Sequence, residues 1–110
     1  MEPFINPLSV LTDYMRKGAD AVFYVEVKDD YARLFDAEKS EIVAVPFQFA
    51  FSFVKEWFLQ IKPGFFVNPV HISAIHTQTR IVELDNQIEL SYEDTFDFEF
   101  ESFLKKIYLY

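Results

Sequence analysis

Cysteine is absent from this chain, and glycine occurs only at Gly18 and Gly64. Without thiols there is no disulfide scaffold, no thiolate zinc site and no cysteine nucleophile, which suits a reducing compartment. With so little glycine there is no phosphate-cradling loop or dinucleotide fingerprint. Nor does a glycine elbow or an adjacent base surround Ser52, Ser73, Ser91 or Ser102. No apolar run approaches the roughly eighteen residues of a membrane span, and no basic segment followed by an apolar one opens the chain. The expected location is the cytoplasm, with no membrane partner. Positive charge is also scarce: 10 Lys and Arg stand against 18 Asp and Glu, a net charge of −8. That balance repels phosphate, and a nucleic-acid binder normally concentrates a basic patch. The scarcity is sharpest between Ile81 and Leu104, where Glu83, Asp85, Glu89, Glu93, Asp94, Asp97, Glu99 and Glu101 occur without a single Lys or Arg.

What the chain has in abundance is aromatic bulk. Hydrophobic residues make up 51% and aromatics 19%, including 14 Phe, so a disordered chain is excluded. One hundred and ten residues suit a single domain with one core. The stretch Phe58 to Ile75 (FLQIKPGFFVNPVHISAI) organises it. Lys62-Pro63-Gly64 separates two short apolar runs, because Pro fixes φ and Gly admits φ > 0. Asn68-Pro69 then opens a turn before Ile72, Ala74 and Ile75 resume the apolar pattern. Strand, bend, strand, turn, strand is the expected order.

On either side the hydrophobic period changes. Residues 6 to 18 predict a helix, with Asn6 as N-cap, Pro7 in the first turn, Gly18 past the end and a Leu8, Leu11, Met15 stripe. Residues 1–20 are thus an N-terminal helix or a linker. AVFYVEV, YARLF and EIVAV predict a three-stranded meander over 21–45. Pro46 begins a helix through Trp57, whose expected core face is Phe47, Ala50, Phe51, Val54 and Trp57, with Phe49 and Phe53 on a second apolar face. Such a helix is either deeply buried or covers a partner. Residues 80–84 and 87–91 predict a hairpin around Asp85-Asn86. The tail from 93 to 106 is expected to be helical, although Phe96, Phe98 and Phe100 also alternate with acids at strand period. Phe51, Phe66 and Ile75 are expected core residues.

The order of these elements, together with Phe58, Ile61, Phe65, Phe66, Val67, Asn68 and Ile72, resembles the LytTR domain, the DNA-binding domain of LytR/AlgR-type response regulators. Glu26, Tyr31 and Leu34 in FYVEVKDDYARLF, and Glu89-Leu90 further on, fall on recurring positions of that family. The resemblance covers roughly residues 21–107, and residues 21–110 form the expected domain. It implies a mainly β (α+β) fold of short antiparallel strands with a few short helices, and implies double-stranded DNA as the ligand. The opening helix departs from the family, which begins with a strand. The family's DNA-facing His-Arg-Ser falls here on Lys62-Pro63-Gly64. Its Ser-Arg-Arg-Tyr/Phe falls on Glu93-Asp94-Thr95-Phe96, so both arginines are lost.

Two functions therefore compete. Lys62, His76, Gln78 and Arg80 are the DNA-contact candidates near one loop. Glu93, Asp94, Asp97, Glu99 and Glu101 form a candidate acidic face for a regulatory protein, either a LytTR-type regulator or a second copy of this chain, with DNA binding weak or absent. The favoured expectation is the protein-binding derivative. No enzyme, cofactor or metal is expected: His71 and His76 are five apart and point to opposite faces of a regular strand, and the carboxylates are not spaced as a metal loop.

Overall fold

A computed structural model describes residues 7–16 and 20–96. Helix α1 (Pro7–Arg16) is followed by β1 (Tyr24–Lys28), β2 (Tyr31–Phe35) and β3 (Glu41–Pro46), the expected meander. Helix α2 (Phe47–Trp57) leads into β4 (Leu59–Lys62) and β5 (Phe65–Val67). A 3₁₀ turn over Pro69–His71 precedes β6 (Ile72–His76) and β7 (Ile81–Leu84), and a three-residue turn over Asp85–Gln87 precedes β8 (Ile88–Ser91). All pairings are antiparallel, giving a five-stranded sheet of order β3-β2-β1-β5-β4 and a three-stranded sheet of order β6-β7-β8. The expected mainly β architecture is present. Of the expected terminal helix, a 3₁₀ turn over Asp94–Phe96 is seen, and the remainder lies outside the described residues, as does Asn6.

Two apolar clusters hold the layers together. On one face of the five-stranded sheet, Val25, Leu34, Val43, Val45 and Phe66 pack against Leu11 of α1 and Ala50, Phe53 and Val54 of α2. On the other, Tyr24, Phe35, Ile61 and Val67 pack against Val82, Leu84 and Ile88 of the small sheet, with Tyr92 closing one end. Alternate residues of each central strand therefore face two different cores: Val25, Leu34 and Phe66 the first, and Tyr24, Phe35 and Val67 the second.

Asn68, itself buried, joins the halves. Its side-chain amide donates to the Val22 carbonyl at 2.9 Å, while its oxygen accepts from Val70 N–H at 3.2 Å and starts the turn at Pro69. Gly64 closes the β4–β5 turn with φ 77°, and its carbonyl accepts from Val27 N–H at 2.6 Å. A Cβ there would sit 2.7 Å from the Val27 carbonyl oxygen, so the close approach to β1 requires glycine.

With glycine scarce, other residues take the left-handed corners: Asp29, Asp30, Lys39, Arg80, Asn86 and Gln87 all have positive φ. Asp29 (52°) and Asp30 (64°) together make the tight β1–β2 turn, whose twist suits an antiparallel hairpin. The expected two-residue turn at Asp85-Asn86 is instead a three-residue turn over Asp85–Gln87, with Asn86 and Gln87 both left-handed.

Helix α2 corrects the expected core face. Ala50, Phe53 and Val54 are buried and Phe47 is half-buried, whereas Phe51 and Trp57 are 48% and 47% exposed. The helix meets the sheet along the Phe53 side, which turns Phe51 to one flank. A helix with apolar residues on two faces leaves this choice to the sheet beneath it. Of the other expected core residues, Phe66 is buried and Ile75 is half-buried on the second cluster. Leu11 is buried and Leu8 exposed in α1.

Candidate nucleic-acid interface

Three segments converge at one end of the small sheet. Glu93 N–H donates to the Ile61 carbonyl at 3.0 Å, and Tyr92 N–H donates to the Arg80 carbonyl at 2.9 Å. The end of β4, the turn at 77–80 and the stretch 92–94 therefore meet. Strand register adds the rest: Ile81 pairs with His76 on one side and Ser91 on the other. Lys62 reaches this end too, its ammonium donating to Ser91 Oγ at 3.2 Å.

Gathered together, these candidates are not a free cationic surface. The Lys62 ammonium also lies 4.4 Å from the Phe65 ring centroid, so it is engaged at the surface by a cation–π contact and a hydroxyl. His76 Nε2 faces Glu83 Oε2 at 3.3 Å. Gln78 is exposed at the turn, and Arg80 is half-buried with φ 53°. Exposed Glu93 and Asp94 share this end, and Glu83 stands directly opposite Glu89 across the β7–β8 pair. Like charges in that register repel. Asp97, Glu99 and Glu101 of the candidate acidic face lie outside the described residues.

The turn at Lys62-Pro63-Gly64 supplies little for DNA. Pro63 is exposed at the tip and has no donor, and Gly64 is committed to its approach to Val27. Elsewhere, Arg33 is tied to Glu41 and lies over the Phe35 ring, and its hydrogen bond to Glu41 raises the guanidinium pKa above its ordinary value.

The two histidines are separated more thoroughly than strand alternation requires. His71 ends the 3₁₀ turn instead of lying in β6, and the β6–β7 register shifts between Ile72 and Ala74. Its ring stacks on Phe23 at 3.8 Å between centroids, contacts the Asp20 carbonyl, and faces Asp85 Oδ2 at 3.3 Å. This contact between the two sheets had no signature in the sequence. Among the described residues no group of three or more His, Asp or Glu is placed to hold a metal ion, and no helix is long and apolar enough to cross a membrane.

No family model matches the sequence, and no curated protein does. Among solved structures, the chain is similar to the LytTr DNA-binding domain of a methyl-accepting/DNA response regulator from Bacillus cereus. The TM-score is 0.61 with 23% sequence identity, and the match covers 76% of this chain and 81% of that one. Shared topology at that identity carries the architecture, and this chain has the fold of the LytTR DNA-binding domains.

Proposed function

We propose that this chain is a regulatory domain on a LytTR-like scaffold that binds a basic protein surface and has largely lost duplex DNA. The observation that carries this reading is the state of the turn where the resemblance puts His-Arg-Ser. Lys62 is held by Ser91 and Phe65, Pro63 has no donor, and Gly64 is packed on Val27, with Glu93 and Asp94 on the adjoining stretch. DNA affinity scales with the number of phosphates neutralised, so replacing cations by acids costs orders of magnitude. The same acids complement a cationic partner, such as a DNA-binding relative with this fold or a basic region of a second copy.

Direct DNA binding is the second reading. It is favoured by the likeness to a DNA-binding domain, and by the meeting of Lys62, His76, Gln78 and Arg80 at one end of the small sheet. Fluorescence anisotropy against mixed duplex DNA separates the two. The expected Kd is no tighter than ~10⁻⁴ M at physiological salt. Replacing Glu93, Asp94 and Pro63 by Arg should tighten binding and steepen the salt dependence by about one unit per restored phosphate contact. Sub-micromolar binding by the unmodified chain, with a salt slope of several units, overturns the protein-binding reading.

A further inference from the structure

Beside α2 runs a groove of about 170 Å³ lined by Lys55, Phe58, Leu59, Gln60 and Phe66. The Lys55 ammonium lies at its edge, 5.8 Å from the Phe51 ring centroid and 5.9 Å from that of Phe66. Lys55 is exposed, and Phe51 keeps about half its surface open to water although it is flanked by Phe47 in an edge-on contact at 5.6 Å. No carboxylate lines the groove, and between Glu41 and Ile61 Lys55 is the sole basic residue. In a chain of net charge −8, this is a cation set between the half-exposed Phe51 ring and a groove whose own rings, Phe58 and Phe66, are buried.

We propose that this groove docks an acidic–aromatic segment of a partner protein, one apolar side chain entering between α2 and β4–β5 while a neighbouring carboxylate pairs with Lys55. Charge complementarity selects the occupant. A basic segment would meet Lys55 with the same sign, and a purely apolar one would leave the ammonium without a counter-charge as water is excluded. The volume admits a single apolar side chain rather than a helix face, so the contact is a short anchored segment. Gln60, half-buried on the groove wall, donates an amide N–H to the Lys62 carbonyl at 3.4 Å and presents its side-chain oxygen as an acceptor for the segment's backbone. This surface is distinct from the acids at Glu93 and Asp94, and the inference does not depend on whether the chain binds DNA.

The test is an NMR titration of the full ¹⁵N-labelled chain with the peptide Ac-Phe-Glu-Leu-Glu-NH₂, and with its basic counterpart Ac-Phe-Lys-Leu-Lys-NH₂. Saturable shifts at Lys55, Gln60 and Phe66 are expected from the acidic peptide alone, weakening with salt. Lys55→Gln, an exposed substitution whose dispersed spectrum reports an intact fold, should weaken binding about tenfold. Glu93→Gln should leave it unchanged. The proposal is overturned by no saturable shift, by equal shifts from the basic peptide, or by an unaltered affinity in Lys55→Gln. Shifts centred on the Trp57 indole, on the opposite flank of the helix by its spacing, overturn it as well.

Discussion

The five-stranded sheet packs against other elements on both faces and the three-stranded sheet on one. Helices α1 and α2 cover the first face of the large sheet, and the small sheet covers the second. The small sheet buries Val82, Leu84 and Ile88, and turns Glu83, Glu89 and Ser91 the other way. The difference separates two burdens within one domain. Substitution at Val25, Leu34, Val45 or Phe66 disturbs the packing under the helices, and substitution at Tyr24, Phe35 or Val67 disturbs the packing between the sheets. The outer face of the small sheet can change sign of charge while the register beneath it stays fixed.

Breaking that comparison begins in the core. Phe66→Ala should lower unfolding stability by about 3–5 kcal/mol and Leu84→Ala by about 2–5 kcal/mol, measured by denaturant titration. If Leu84→Ala cost less than about 1 kcal/mol, the small sheet would be an appendage and not half of the second core. Gly64→Ala comes next, with a loss of about 1–3 kcal/mol, because the added methyl meets the Val27 carbonyl and the residue is left-handed. A neutral result would mean the β4–β5 turn detaches easily from β1.

The open face should respond oppositely. Glu89→Lys removes a like-charge pair with Glu83 and should stabilise by about 0.2–1 kcal/mol, an advantage that shrinks in high salt. The smallest effect is at alkaline pH. Burial, and next the nearby Glu26 and Asp36 carboxylates, raise the Tyr24 phenol above its ordinary pKa. A raised folded value gives stability that is present below the unfolded value of about 10 and is lost as pH climbs through the folded one. Tyr24→Phe should flatten the alkaline limb of a pH–stability profile; an unchanged limb would show that Tyr24 does not contribute.

Much of this was legible in order and type. The meander, the helix after Pro46, the Lys62-Pro63-Gly64 bend and the Asn68-Pro69 turn follow from residues whose backbone preferences act locally. Phe51 was not legible, because apolar residues on two sides of α2 leave its rotation to the underlying sheet. His71 was not either, since its partners Asp20, Phe23 and Asp85 are remote in sequence. At the candidate interface, the acids at Glu93 and Asp94 and the lack of a side-chain donor at Pro63 and Gly64 were plain from the residues. The capture of Lys62 by Ser91 and Phe65 required the two sheets to be docked.

The scarcity of glycine leaves its mark at the corners of the fold. Holding Asp, Lys, Arg, Asn or Gln in the left-handed region costs on the order of 1–2 kcal/mol apiece relative to the right-handed one, less for Asp and Asn. A glycine would turn the same corner and show the outside only bare peptide. At these six positions the corner carries a polar side chain instead. Asn86 already uses this to reach the Ala37 carbonyl at 3.2 Å, linking a corner of the small sheet to the loop between β2 and β3. Backbone strain at such a corner thus has a use: it holds a polar side chain where a second loop can be tied to the turn, as Asn86 ties Ala37.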